Sequence, residues 1–310
     1  MNYTEFKQKI INKLKQQYFD KALDFRDKKF IKNNITKEGL YLYSKSENIS
    51  PVVYLDDLYK KYQDGYSLDK LVMIVSKILV KNKIDDYSKY NDISKTILIP
   101  EIINKKLNQE MLKNCPHYDY LDLSVVFRCL YPESTGSSLL TYSLMEMLNL
   151  CENDLYSKAM YNLIYNIGIS INTLQNKLEQ CVSNKKHDFK IDYTVIRKKI
   201  KNIKDIRFSI SYHLEKNEIV WCSTTSQIFG ASILLDKVTL KYISALFESD
   251  IYIIPSSIHE LLIVSVDNYE ANFLKNMLMS ANTKISEDEI LSTSIYKYDR
   301  LSENVTICHK

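Results

Sequence analysis

The segment Pro255-Ser256-Ser257-Ile258-His259-Glu260 holds two hydroxyls, an imidazole and a carboxylate in close succession. These are the types a serine nucleophile needs: an oxygen to attack, a base to take its proton, and a group to orient the base. The spacing works against that chemistry, because neighbours on so short a loop seldom converge and no glycine elbow lifts either serine. The spacing favours another reading, in which Ser256, Ser257, His259 and Glu260 satisfy backbone groups at the end of a sheet. The same four residues are also candidates for a binding tip.

A second cluster is Cys115, His117, Asp119 and Asp122. It has the donor types of a metal-site fragment. A turn entering a strand, with an aspartate as its cap, accounts for it more simply, and His117 and Asp119 stand as binding candidates. His187, His213 and His309 have no ligand spacing with one another, so no metal and no cofactor is expected. Five glycines in the whole chain leave little to build a Gly-rich phosphate cradle.

The third cluster is the basic run Arg197, Lys198, Lys199, Lys201 and Lys204. On a helix over 193–204, Ile196, Ile200 and Ile203 form an apolar stripe and the cations fall outside it, as on an ordinary solvated face. A phosphate-tracking face is the alternative, weakened because no aromatic residues are interleaved for base stacking. The single tryptophan, Trp221, lies in Ile219-Val220-Trp221-Cys222 and reads as a core position.

These candidates sit in a chain of ordinary globular make-up, 45% apolar and 26% charged over 310 residues. The net charge of +4 is unevenly spread. Residues 1–95 carry 19 basic and 13 acidic groups, 96–189 carry 8 and 10, and 190–310 carry 15 and 15. The 24 tyrosines fit either a compositional bias or a tyrosine-rich binding surface. Six cysteines at wide, irregular spacing read as reduced, mostly buried thiols. The first residues have no apolar signal region, and no stretch approaches 18 apolar residues. A cytoplasmic location is therefore expected.

The elements that must position the candidates follow from periodicity. Phe6, Ile10, Leu14 and Tyr18 mark a helix over 4–19 capped by Thr4. Strands are expected at 40–43 and 51–55, helices at 56–63 and 68–81 with Ser67 capping the second, and a polar linker at 82–95. Next come a strand at 97–99 stopped by Pro100, a helix at 101–113, a turn at 115–117, and a strand at 121–131. A hairpin strand at 139–142, helices over 143–182 and a second linker at 183–190 complete the middle. The last part reads as a basic helix at 193–204, strands at 206–213, 218–222 and 229–235, and a helix at 236–247. Strands at 251–254 and 261–266, a helix at 268–281 and a closing hairpin at 291–307 end it. The fold class is α+β: successive helix–strand–strand–helix units with antiparallel sheets, over 1–95, 96–189 and 190–310.

Several stretches resemble a known family. They are Gly39-Leu40-Tyr41-Leu42 with 48–55, Pro116-His117-Tyr118 with 122–127, and Phe229-Gly230-Ala231 with 232–235. Tyr252-Ile253-Ile254-Pro255-Ser256-Ser257-Ile258-His259-Glu260 with 261–264 is the most specific, and 291–300 also fits. The chain resembles an uncharacterised domain-of-unknown-function family of Clostridia and their mobile elements. More distantly it is similar to an uncharacterised Bacillus-type cytosolic family. The resemblance runs nearly end to end, more poorly over about 150–215, and implies a cytoplasmic Firmicute protein carried on a phage or conjugative element, with no activity attached. Where such members usually carry Asn-Gly-Ala, this chain has Ile228-Phe229-Gly230-Ala231.

The expected function is a non-enzymatic protein-interaction or regulatory module. The partner is another protein, with neither nucleic acid nor membrane expected and the oligomeric state open. The alternatives are a hydrolase or transferase using the 256–260 loop, and a weakly nucleic-acid-associated factor using the basic first unit and the 197–204 helix.

Overall fold

The computed structural model describes residues 1–21, 23–43, 50–81, 95–131, 136–183 and 214–308. The basic run Arg197 to Lys204, the strand expected at 206–213 and nearly all of both expected linkers lie outside the described residues. The fold is α+β with antiparallel sheets. The chain divides into two compact units, 1–96 with 130–137, and 97–129 with 138–310.

In the first unit, α1 (Tyr3–Gln17) turns Phe6, Ile10 and Leu14 inward. Its cap is Asn2, not Thr4. The Asn2 side chain accepts from the Glu5 N–H, and the Asn2 N–H donates to the Glu5 carboxylate. This reciprocal pair satisfies two N–H groups where threonine at position 4 would satisfy one. Strands β1 (Asp24–Ile31), β2 (Thr36–Tyr43) and β3 (Val52–Tyr54) form an antiparallel sheet in that order. Helices α2 (Leu55–Gln63) and α3 (Leu68–Ser76) follow, the latter capped by the Ser67 hydroxyl. Phe25, Leu40, Leu42 and Val53 on one face of the sheet join the three helices in a single apolar core. The periodicity of β1 is nearly silent because Phe25 is its one fully buried side chain.

The second unit opens with β4 (Ile97–Asn104), which runs straight through Pro100. The helix expected at 101–113 is only α4 (Gln109–Leu112). Pro100 is tolerated because β4 is an edge strand in the order β4-β6-β5, where a missing donor need not break a ladder. Here β5 is Tyr118–Tyr120, β6 is Leu123–Leu130, and β7 (Ser137–Leu139) also pairs with β6. Helices α5 (Tyr142–Met147) and α6 (Glu152–Tyr161) lead to β8 (Ile169–Thr173) and α7 (Leu174–Ser183).

The main sheet has the order β13-β12-β10-β11-β9-β8. Its remaining strands are β9 (Val220–Thr224), β10 (Ile251–Ser257), β11 (Glu260–Ser265), β12 (Tyr296–Asp299) and β13 (Asn304–Ile307). The strand expected at 229–235 is instead a 3-10 helix, Gly230–Leu235, packed on β9, β11 and β4. Helix α8 is Lys237–Phe247. Helix α9 (Ala271–Asn282) sets Leu274 and Leu278 against Val264 and Ile295.

Candidate functional site

The hairpin β10–β11 carries the Ser-Ser-Ile-His-Glu segment. Its strands pair in register from Ile251 opposite Ser265 to Ile254 opposite Leu262, and again at Ser257 opposite Glu260. Between those pairs Pro255 and Ser256 together face Leu261, so the proline sits in a bulge that absorbs its missing N–H. Pairing therefore does not end at Pro255. The expected loop shrinks to a turn of Ile258 and His259.

That turn is held from several sides. The His259 carbonyl accepts from the Ser223 hydroxyl at 2.6 Å and from the Gly230 N–H at 3.0 Å. The Ile258 carbonyl accepts from the Ala231 N–H at 3.3 Å, and the Ile258 N–H donates to the Glu289 carbonyl at 2.9 Å. The Ser257 hydroxyl accepts from the His259 N–H at 3.0 Å. The imidazole accepts the Phe229 N–H on Nδ1 at 3.1 Å. Glu260 takes the Trp221 indole N–H at 2.6 Å on one oxygen and the Ser256 hydroxyl at 3.1 Å on the other. Lys177 Nζ lies 4.3 Å from the Trp221 ring and donates to Gln227.

The strand-to-helix crossing beneath the turn is bent to make these contacts. Gln227 and Phe229 both have left-handed backbone, φ 59 and 53, a conformation that costs a non-glycine residue free energy. Gly230 follows because nothing larger fits. A Cβ there would lie 2.6 Å from Ser223 Cα, and the Ser223 hydroxyl and His259 carbonyl stand closer still.

This arrangement is a clasp in which polar groups meet partners from their own chain. Among the described residues neither serine hydroxyl is hydrogen-bonded to the His259 ring. The imidazole Nδ1 instead accepts the Phe229 backbone N–H. The types for acyl transfer are present, but the geometry that would couple them is not.

The second cluster disperses. Cys115 is fully buried, its thiol pushed up to about 11 by burial, and it donates to the Met111 carbonyl. His117 Nδ1 lies 3.0 Å from the Cys115 carbonyl. Asp119 points outward and pairs with Lys105 at 2.6 Å, which holds its carboxyl below the usual range. Asp122 accepts from the hydroxyls of Ser292 at 3.1 Å, Ser294 at 2.9 Å and Tyr296 at 2.7 Å. Burial first, with the Asp122 carboxylate adding to it, raises the Tyr296 phenol well above its ordinary range. Asp122 thus pins the segment entering β12 to the turn before β6, a role its spacing from Asp119 does not suggest. Among the described residues no group of three or more His, Cys, Asp or Glu is placed to hold a metal.

Sequence reasoning also missed Glu101 and Arg128. Glu101 is fully buried in β4, and Arg128 in β6 meets it with Nε at 2.5 Å and Nη2 at 3.4 Å. The guanidinium carbon lies 5.4 Å from the Phe229 ring, which in turn is 5.6 Å from the His259 ring. One lone acid and one lone base in two otherwise apolar strands were the available signal, since buried charges require each other.

Among the described residues no helix is long and apolar enough to cross a membrane. No curated protein and no solved structure matches the chain. The stretches that carry the clasp, 229–235 and 252–264, lie within a match over residues 3–300 to a single family model, and the chain belongs to that family, described as a family of unknown function (DUF5688).

Proposed function

We propose that this protein is a non-enzymatic interaction module whose partner is another protein, and that the Ser256–Glu260 segment is its structural clasp. The observation that carries the reading is the Phe229 N–H donated to His259 Nδ1. It commits the imidazole to holding the crossing segment, and Glu260 is likewise committed to Trp221 and Ser256. A catalytic base must keep its acceptor nitrogen for the nucleophile. The host implied by the resemblance, a Firmicute with the gene on a mobile element, and a cytoplasmic location belong to the same proposal.

The test uses a serine-reactive fluorophosphonate probe and mass spectrometry on the full chain. Neither Ser256 nor Ser257 is labelled, and His259→Ala lowers the melting temperature while the proteins that co-purify with the full chain from its host stay the same. Labelling of either serine that disappears in His259→Ala, with an unchanged melting curve, refutes the reading.

A further inference from the structure

The three-stranded sheet of the first unit has a second face, opposite its core. Strand register puts Arg26 across from Tyr41, Lys28 across from Gly39, and Gly39 across from Tyr54. Phe30 and Tyr43 share that face, because side chains two apart on a strand point the same way. All four rings on it, Phe30, Tyr41, Tyr43 and Tyr54, are exposed or half-exposed. An open antiparallel face ordinarily carries polar residues. Here rings and cations gather around Gly39 and Val52 instead.

The rings are prearranged. A Cβ on Gly39 would lie 2.6 and 2.7 Å from Phe30 ring atoms, so the glycine is what lets Phe30 lie across β2. Phe30 then meets Tyr41 and Tyr54 edge-on, at 6.0 and 6.3 Å between centroids. The cations sit against the rings. Arg26 Cζ is 3.6 Å from the Tyr43 centroid, and Lys28 Nζ is 4.9 Å from that of Phe30 and 5.4 Å from that of Tyr41. At the rim, Lys32 Nζ is 4.6 Å from the Tyr54 centroid. Two carboxylates meet cations of this face: Asp24 is engaged by Arg26 at 2.7 Å, and Asp57 of α2 reaches Lys37 at its edge at 3.2 Å. Residues 1–95 hold the chain's surplus of positive charge, 19 basic against 13 acidic groups.

We infer that this face is a platform for single-stranded nucleic acid, a role independent of the clasp in the other unit. Unpaired bases stack on exposed rings regardless of their identity, and cations beside the rings meet the phosphates. Rings two apart on one strand, such as Tyr41 and Tyr43, are about 7 Å apart, within reach of consecutive bases on an extended strand. A duplex hides its base faces from such a surface. The basic run 197–204 lacked interleaved aromatics; this sheet has them, and no sequence spacing within one strand reveals that Arg26 and Tyr41 face each other.

The probes are fluorescently labelled oligo-uridine and oligo-thymidine of about 12 nucleotides, with a duplex of equal length and inorganic polyphosphate as comparators, titrated with the full chain. Binding to both single strands is expected, weakening about tenfold between about 50 and 200 mM salt, as two to three phosphate contacts imply. Tyr43→Ala and Tyr41→Ala should each weaken it at least about fivefold with an unchanged melting temperature. Lys28→Gln should weaken it and flatten the salt dependence, whereas Lys61→Gln, on α2, should do neither. Three results overturn the inference: no binding at about 100 μM protein at the lower salt, equal binding to duplex or polyphosphate, or binding indifferent to both tyrosine variants. If the tyrosine variants unfold, Lys28→Gln and the comparators decide alone.

Discussion

Substituting Gly230 by alanine puts one methyl group where the clasp leaves no room. The new Cβ would lie 2.6 Å from Ser223 Cα and closer to the Ser223 hydroxyl and the His259 carbonyl. Two of these obstacles are main-chain atoms of β9 and of the hairpin turn, so no rotamer change relieves them. Forcing a methyl into such a site costs about 1–3 kcal/mol. The shift must also stretch the Gly230 N–H bond to His259, 3.0 Å, and the Ser223 hydroxyl bond to the same carbonyl, 2.6 Å, at about 1 kcal/mol each. Alanine restricts the unfolded chain and returns about 0.4–1 kcal/mol. The net loss is about 2–4.6 kcal/mol. With a urea slope of about 2 kcal/mol/M, the midpoint falls by about 1–2.3 M. The assay is urea unfolding followed by Trp221 fluorescence, since the indole lies in the second unit and is bonded to Glu260 of the hairpin. Ser223→Ala in the same background removes the nearest side-chain obstacle, so the double substitution should cost less than the two singles combined. A Gly230→Ala midpoint equal to wild type would mean the turn is not clamped.

Three further outcomes follow from the same contacts. Glu260→Ala leaves the Trp221 N–H without its acceptor and should cost about 2–3 kcal/mol with a shift in indole emission, while Glu260→Gln should cost less because an amide oxygen can still accept; equal costs argue against the bond. Arg128→Met strands the fully buried Glu101 carboxylate and should cost about 3–5 kcal/mol, mostly recovered by adding Glu101→Leu, as measured by chemical unfolding; failure of the double substitution to recover stability would place the cost elsewhere. Burial pushes the thiols of Cys115 and Cys129 up to about 11 and about 12, and Cys222 higher. Alkylation near pH 8 read by mass spectrometry should therefore modify exposed Cys151 first and these three only after unfolding.

What the sequence made legible was whatever side-chain period could carry. Helix α1, the α2–α3 pair, β6 and the core of the β10–β11 hairpin bury enough residues at regular spacing for the pattern to show. Strand β1 buries only Phe25 fully among eight residues, and its run of charges looks like loop. Pro100 looks like a stop because a single sequence does not say which strand will lie at an edge. The 229–235 segment is apolar throughout, and a continuous apolar run does not distinguish a strand from a tight helix packed on all sides. The Ser-Ser-Ile-His-Glu segment stood out by residue type. Its partners did not, because Phe229, Gly230 and Glu289 reach it through main-chain groups about 30 residues away, and main-chain groups have no sequence signature.

Phe229 shows how the clasp is built. It occupies left-handed backbone, at a local cost of about 1–2 kcal/mol. Its ring is only 8% exposed and lies against both His259 and Arg128. Burying such a ring contributes about 1.5–3 kcal/mol, enough to offset the backbone. The position is thus held by packing, not by a backbone preference of its own. It also joins the hairpin turn, through one aromatic ring, to the buried Glu101–Arg128 pair on β4 and β6. In this chain the imidazole, the ring and the ion pair form one continuous line of contacts, so a change at any of the three should be felt at the other two.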